Sequence, residues 1–111
     1  MERFRLETMR QGWFVGNFHP TAFQTEACEV AWKRHEIGET CPKHVHRQVT
    51  EINLLVRGQM SAKGAQGIQR LQEGDIFVLR PGEWIEPEFH TDCHLVVVKI
   101  PGIQGDKVLL P

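Results

Sequence analysis

Two histidines and a glutamate lie close together in this chain: His44 and His46 are separated by one residue, and Glu51 follows soon after. Two imidazoles and a carboxylate are the usual donors for a divalent first-row metal that keeps positions open for water or substrate. Glycines bracket the set at Gly38 and Gly58. On a strand, residues i and i+2 face the same side, roughly 6.5 Å apart along the backbone. His44 and His46 can therefore converge on one ion from a single strand. Glu51 has the opposite parity, so the chain must turn or bulge between them, and Arg47-Gln48-Val49 is the expected place. Beyond it, Glu51, Asn53 and Leu55 should face inward together on the neighbouring strand. A bare H-x-H pair is more often solvated or packed than metal-binding; the whole bracketed pattern carries the specificity. The expected cofactor is a divalent ion, and nothing in the spacing chooses among Fe, Zn, Mn and Ni.

Strands must hold these residues, and the chain supplies short β-type runs separated by Gly, Pro and polar clusters, with no long helical periodicity. The runs are Trp13 to Gly16, Glu29 to Arg34 with Val30 and Trp32 on one face, Lys43 to His46, and Ile52 to Val56. Ser61 to Gly67 reads as a hairpin region, Asp75 to Leu79 runs into the Pro81-Gly82 turn, and Leu95 to Ile100 closes at Pro101-Gly102. Turn signals at about ten-residue spacing argue for an all-β sandwich or barrel. Residues 76–79 and 95–98 are almost continuously apolar, so both of their faces should be covered, one by a partner subunit. A homodimer is expected, with residues 1–111 forming one domain.

Composition narrows the partners. The 111 residues are 41% hydrophobic and 24% charged with a formal net charge of −1, which gives no electrostatic footprint for nucleic acid or an acidic lipid surface. No apolar run approaches the ~20 residues needed to cross a bilayer. Met1 to Arg5 lacks the apolar core of a secretion signal. Cys28, Cys41 and Cys93 are odd in number and contain no C-x-x-C pair, so reduced thiols and a cytoplasmic location are expected. Cys41, shortly before His44, reads either as a small buried hydrophobe or as a reactive thiol or extra ligand.

Some chemistry is excluded outright. Tyrosine is absent, so no phenol can serve as acid or base, and Ser61, the sole serine, reads as part of a turn. No phosphate-binding loop occurs. Trp13, Trp32 and Trp84 suit either a ligand pocket or a core and dimer interface. Arg57, Arg80 and Lys99 could hold an anionic ligand, with solvated charge as the default. Asp92, Asp106 and Lys107 read as surface charge.

The bracketed pattern resembles the first motif of the cupin superfamily, G-x5-H-x-H-x(3,4)-E-x6-G, which Gly38, His44, His46, Glu51 and Gly58 match in full over residues 38–58. That resemblance implies a small jelly-roll β-barrel with the metal held inside by these side chains. The second cupin motif, G-x5-P-x-G-x2-H-x3-N, survives in degenerate form over 74–89. Gly74 and Gly82 fall in place, but Arg80 replaces the proline, Ile85 the histidine and Phe89 the asparagine. Isoleucine cannot bind a metal, so the family's third imidazole is missing. Glu86, Glu88, His90 and His94 lie close by as substitutes, and Glu86 is taken as the added ligand, with Pro87 free to distort the strand. The segments G-W-F-V-G-N-F-H-P, E-F-H-T-D-C and V-V-V-K-I-P-G are also similar to a group of short cupin proteins. The resemblance implies a metal-dependent isomerase, lyase or oxygenase acting on a sugar or organic acid. The alternative is a non-catalytic small-molecule-binding cupin. No catalytic residue beyond the metal ligands is assigned.

Overall fold

A computed structural model describes residues 1–111, arranged as ten strands and one 3₁₀ turn at Leu6–Thr8. The strands are β1 (Trp13–Val15), β2 (Glu29–His35), β3 (His44–His46), β4 (Thr50–Arg57) and β5 (Met60–Gly64). They continue as β6 (Gly67–Leu71), β7 (Ile76–Leu79), β8 (Trp84–Phe89), β9 (Cys93–Ile100) and β10 (Lys107–Leu109). One sheet has the order β1-β2-β9-β4-β7 and the other β10-β3-β8-β5-β6. Every strand pairing within the two sheets is antiparallel. The jelly roll is therefore a two-sheet sandwich, and no strand is shared to close the expected barrel into a ring. No helix is long and apolar enough to cross a membrane.

Alternation builds the core. Along β9, Cys93, Leu95 and Val97 are buried while the residues between them turn to the other face. They pack with Ala31 of β2, Leu55 of β4, Met60 of β5 and Phe89 of β8, so both sheets contribute. Burial of such side chains, at roughly 25 cal/mol per Å² of apolar surface, is the main force holding the sheets together. Gly58 ends β4 at a φ of 105°, where a Cβ would lie 2.4 Å from the Asp92 carbonyl oxygen. Only glycine fits that approach, which explains one of the two bracketing glycines.

The opposite face of the first sheet is apolar and uncovered. Val30, Val98, Ile52 and Val78 form one cross-strand row; Trp32, Val96, Leu54 and Ile76 form the next. Leu54, Val56, Ile76, Val78 and Ile100 are all exposed there. The runs expected to be buried on both sides are thus covered on one side by this chain alone.

Candidate metal centre

His44 and His46 belong to β3, an interior strand of the second sheet flanked by β8 and β10. His44 faces Ile85 on one side and Leu109 on the other, while His46 faces Lys107. Both imidazoles are buried. The chain then turns through Arg47, Gln48 and Val49 into the other sheet, where Glu51 opens the inward face of β4 ahead of Asn53 and Leu55. Asp106 fixes that turn. Its buried carboxylate accepts hydrogen bonds from the backbone N–H of Gln48 at 3.0 and 3.1 Å and of Val49 at 3.0 Å. Burial alone would push the Asp106 carboxyl up, but the N–H groups of Gln48, Val49 and Arg47 together hold it below the usual range. Asp106 therefore ties the histidine strand to the glutamate strand, and its reading as surface charge is corrected.

The result is a cluster. Donor atoms of His44, His46 and Glu51 all lie within 4.8 Å of one another. His46 Nε2 is 3.3 Å from Glu51 Oε2, yet it is buried without a hydrogen-bond partner. Two ligands about 2.1 Å from one ion, at tetrahedral to octahedral angles, lie roughly 3.0–3.4 Å apart. The spacing suits shared coordination. His44 Nδ1–H donates to the Pro42 carbonyl at 2.9 Å, which fixes the tautomer and leaves Nε2 its lone pair. Burial pushes both histidines below the usual imidazole range, although Glu51 pulls His46 the other way. Neutral imidazole is the form that coordinates.

The cluster opens into a chamber of about 250 Å³ between the sheets. Its floor is apolar, with Met60, Phe77, Ile85, Phe89, Leu95 and Val97. A wider vestibule of about 650 Å³ adjoins it, and the two share Gln11, Trp13, His46, Lys99 and Lys107. Lys33 Nζ lies 5.7 Å and Lys99 Nζ 4.8 Å from the Trp13 ring centroid, and Lys33 donates to the Gln11 carbonyl at 3.0 Å. Burial pushes the Lys33 ammonium below its usual value, with Lys99 and then Lys107 acting in the same direction.

The sequence-derived substitutes for the missing imidazole do not reach this place. Glu86 is exposed on the outward parity of β8, opposite Lys63 of β5, so its assignment as a ligand is corrected. Pro87 does not distort the strand: Ile85, Pro87 and Phe89 keep the inward alternation and line the chamber. Glu88 is likewise exposed. His90 hydrogen-bonds Ser61 Oγ at 2.7 Å, and that serine is a buried residue of β5 rather than part of a turn. His94 packs edge-on against Trp32 on the outer face. Among the tryptophans, Trp13 alone lines the chamber, while Trp84 lies beneath Lys43 at 4.1 Å. Of the three basic candidates, Lys99 lines the chamber, whereas Arg57 borders a separate cleft and Arg80 is exposed.

Cys41 also lines the chamber, but it groups with His35 and Glu39 instead of the histidine pair. His35 is hydrogen-bonded to Glu39 and stacked on Phe89 at 4.2 Å. Burial, reinforced by Glu39, pushes the Cys41 thiol up, so it rests protonated against the core. Sequence reasoning missed Lys33 and Lys107. Lys33 shares the inward parity of Ala31 and His35 on β2, which was a usable signal; the short strand β10 that carries Lys107 gave none.

Residues 30–109 match the AraC-like ligand binding domain. The chain belongs to that family, whose fold is of the cupin type. Among solved structures, it resembles a Klebsiella pneumoniae protein with a double-stranded β-helix domain. The two are 23% identical, with a TM-score of 0.70, over 77% of this chain and 71% of the other. KdgF from a Halomonas species is 19% identical with a TM-score of 0.65, over 69% of this cupin and 72% of its own length. Oxalate decarboxylase from Bacillus subtilis is 17% identical with a TM-score of 0.67, over 77% of this cupin and 24% of its own length. At these identities the likeness carries the fold alone. Comparison with curated proteins by sequence gave no match.

Proposed function

We propose that this cupin holds a divalent metal ion on His44, His46 and Glu51 and uses it to act on a small polar metabolite in the adjoining chamber. The observation that carries this reading is the orphaned, buried His46 Nε2 facing Glu51 Oε2 at 3.3 Å, since a buried nitrogen is rarely left without a partner. A bound ion of this class supplies Lewis acidity toward a substrate oxygen. The chain's own groups do the rest. Pro42 holds the His44 tautomer, Glu51 balances charge, and the apolar floor excludes water from the reacting end. Cupin-fold neighbours described as a sugar phosphate isomerase and an oxalate decarboxylase support a sugar or organic acid as substrate, with isomerase or lyase chemistry; oxygenase chemistry is open to the same donor set. Three unpaired thiols suit a reducing compartment such as the cytoplasm.

A second reading has its own support. Ile85 occupies the inward position opposite His44, where a third imidazole would complete the ligand set, and the matching family is named for ligand binding. A non-catalytic binding module needs no more than the chamber. Elemental analysis of protein purified without chelator or affinity tag, then titrated with Fe(II), Zn, Mn and Ni, tests the first reading. About one ion per chain is expected; no saturable binding of any of the four would remove the metal from the function. One bound ion without turnover across sugar and organic-acid screens would favour the binding module.

The uncovered apolar rows on the first sheet support a homodimer through that face, each copy covering the other's Leu54, Ile76 and Val78. Light scattering at micromolar concentration should give twice the chain mass, and Leu54→Glu should halve it. A monomeric wild-type protein would overturn the dimer.

A further inference from the structure

We propose that the ligand of the chamber is a small oxyanion-bearing molecule, a carboxylate or a phosphate ester, whose charged group is seated on Lys33, Lys99 and Lys107. This deepens the small-metabolite reading and rests on the chamber being the ligand site, though not on the metal being bound. Inward positions on a strand are where lysine is least expected, because its ammonium gives up water there and the outward positions stand free for it. Here Lys33 takes an inward position on β2 and Lys99 on β9, and Lys107 of β10 joins them at the chamber wall. None of the three has a carboxylate within 4.0 Å: the basic–acidic contacts at that range are Arg5–Glu7, His35–Glu39 and His46–Glu51.

The nearest countercharge stops short of pairing. Lys99 lies between Glu29 and Glu51 in the strand register, but neither comes within 4.0 Å of it: Glu29 lines the vestibule alongside Lys99 and Lys107, and Glu51 belongs to the histidine cluster. Asp106 is occupied by backbone N–H groups. Three cations crowded at one mouth repel one another, and inside the chain they meet only the Gln11 carbonyl and the Trp13 ring, with no carboxylate paired to any of them. An incoming oxyanion would relieve that repulsion and take charge-assisted hydrogen bonds from each.

A second, independent feature points the same way. Asn53 Nδ2 is buried at the chamber wall and has no hydrogen-bond partner. It is a donor lacking an acceptor, in the same chamber that the lysines line. A carboxylate or phosphate brings several acceptor oxygens, whereas an apolar ligand or a cation would leave Asn53 orphaned. The focused positive field of a recessed site would also speed capture at low salt.

The test uses metal-free protein, treated with chelator and dialysed free of it, and follows binding by titration calorimetry at low ionic strength. The probes are inorganic phosphate, malonate and the neutral malonamide. At least one anion is expected to bind about tenfold or more tighter than malonamide, the scale of one charge-assisted hydrogen bond. Tighter phosphate binding assigns the phosphate-ester class, and tighter malonate binding the carboxylate class. Lys33→Gln, Lys99→Gln and Lys107→Gln should each weaken the preferred anion at least about threefold. Lys99→Arg should restore binding, and Lys63→Gln, on exposed β5 positions, should change nothing. Thermal melts confirm that each variant is folded. Equal affinity for malonamide, or lysine variants that bind as wild type, would overturn the proposal. The double variant His44→Ala, His46→Ala separates the two readings: anion binding that survives loss of the metal supports the lysine seat on its own.

Discussion

Removing both imidazoles, with His44→Ala and His46→Ala, is expected to weaken divalent-metal binding by at least about 10³-fold, and adding a third with Ile85→His to strengthen it by about 10–100-fold. The loss follows from count. Even supporting residues around a metal cost about 10–100-fold each when removed, and these two are direct donors. Glu51 alone then remains, a carboxylate without its partners. The gain follows from position. Ile85 is 6% exposed, lines the chamber, and lies directly opposite His44 across the β3–β8 pair. Opposed residues in such a pair have Cβ atoms about 4.5–5.5 Å apart, a distance from which two imidazoles can share one ion. Histidine also replaces isoleucine at similar volume, so little strain is introduced. The metal-free Ile85→His protein should melt at a lower temperature than wild type, because a buried ring nitrogen then lacks a partner. Added Zn should raise its melting temperature more than it raises that of the wild type. Competition against a chromophoric chelator reads both changes. Metal affinity that survives the double alanine variant would show that the ion is held elsewhere. An Ile85→His protein that is destabilised but gains no affinity would mean the opposing strand is too far from the ion.

The legible part of the site was the part written in local spacing. His44 and His46 share a strand face because strand parity requires it, and the parity conflict at Glu51 forced a turn that the structure places at Arg47 to Val49. Glu86 was the misreading: taking it as a ligand needs Pro87 to distort the strand, whereas Ile85, Pro87 and Phe89 keep the alternation and the Glu86 carboxylate faces solvent. What escaped notice depends on contacts between residues far apart in sequence. Asp106 pins a turn nearly sixty positions earlier in the chain, and no local pattern announces that its carboxylate is buried. Lys107 reaches the chamber because β10 pairs with β3, a three-residue strand with no apolar alternation to reveal it. The sandwich with uncovered rows on one sheet is another long-range outcome, since sequence gave two apolar faces and could not say which the chain itself covers.

Acid should strip the metal and loosen the fold in a window below the usual imidazole value, not centred on it. Burial holds both His44 and His46 below their ordinary 6.5 in the folded chain. In the unfolded chain these rings regain that ordinary value, so between it and the folded values the unfolded state binds more protons. Stability therefore rises with pH across that interval: it is fully present above 6.5 and is lost as pH falls through the folded values. Metal affinity follows the same groups. It should stay nearly level from neutral pH to below 6.5 and then fall, approaching about a hundredfold per pH unit as two protons compete with one ion. Asp106 adds a separate, more acidic step, since its carboxyl lies below its ordinary 3.8 and its hold on the β3–β4 turn fails only on protonation. Zn competition titrations from neutral to strongly acidic pH, with thermal melts of the metal-free protein over the same range, separate the two steps. His44→Ala should reduce the steepness of the metal curve toward one proton per ion while leaving the Asp106 step in place. A metal affinity that does not change with pH, or one that falls with its midpoint above 6.5, would contradict coordination by these two buried rings.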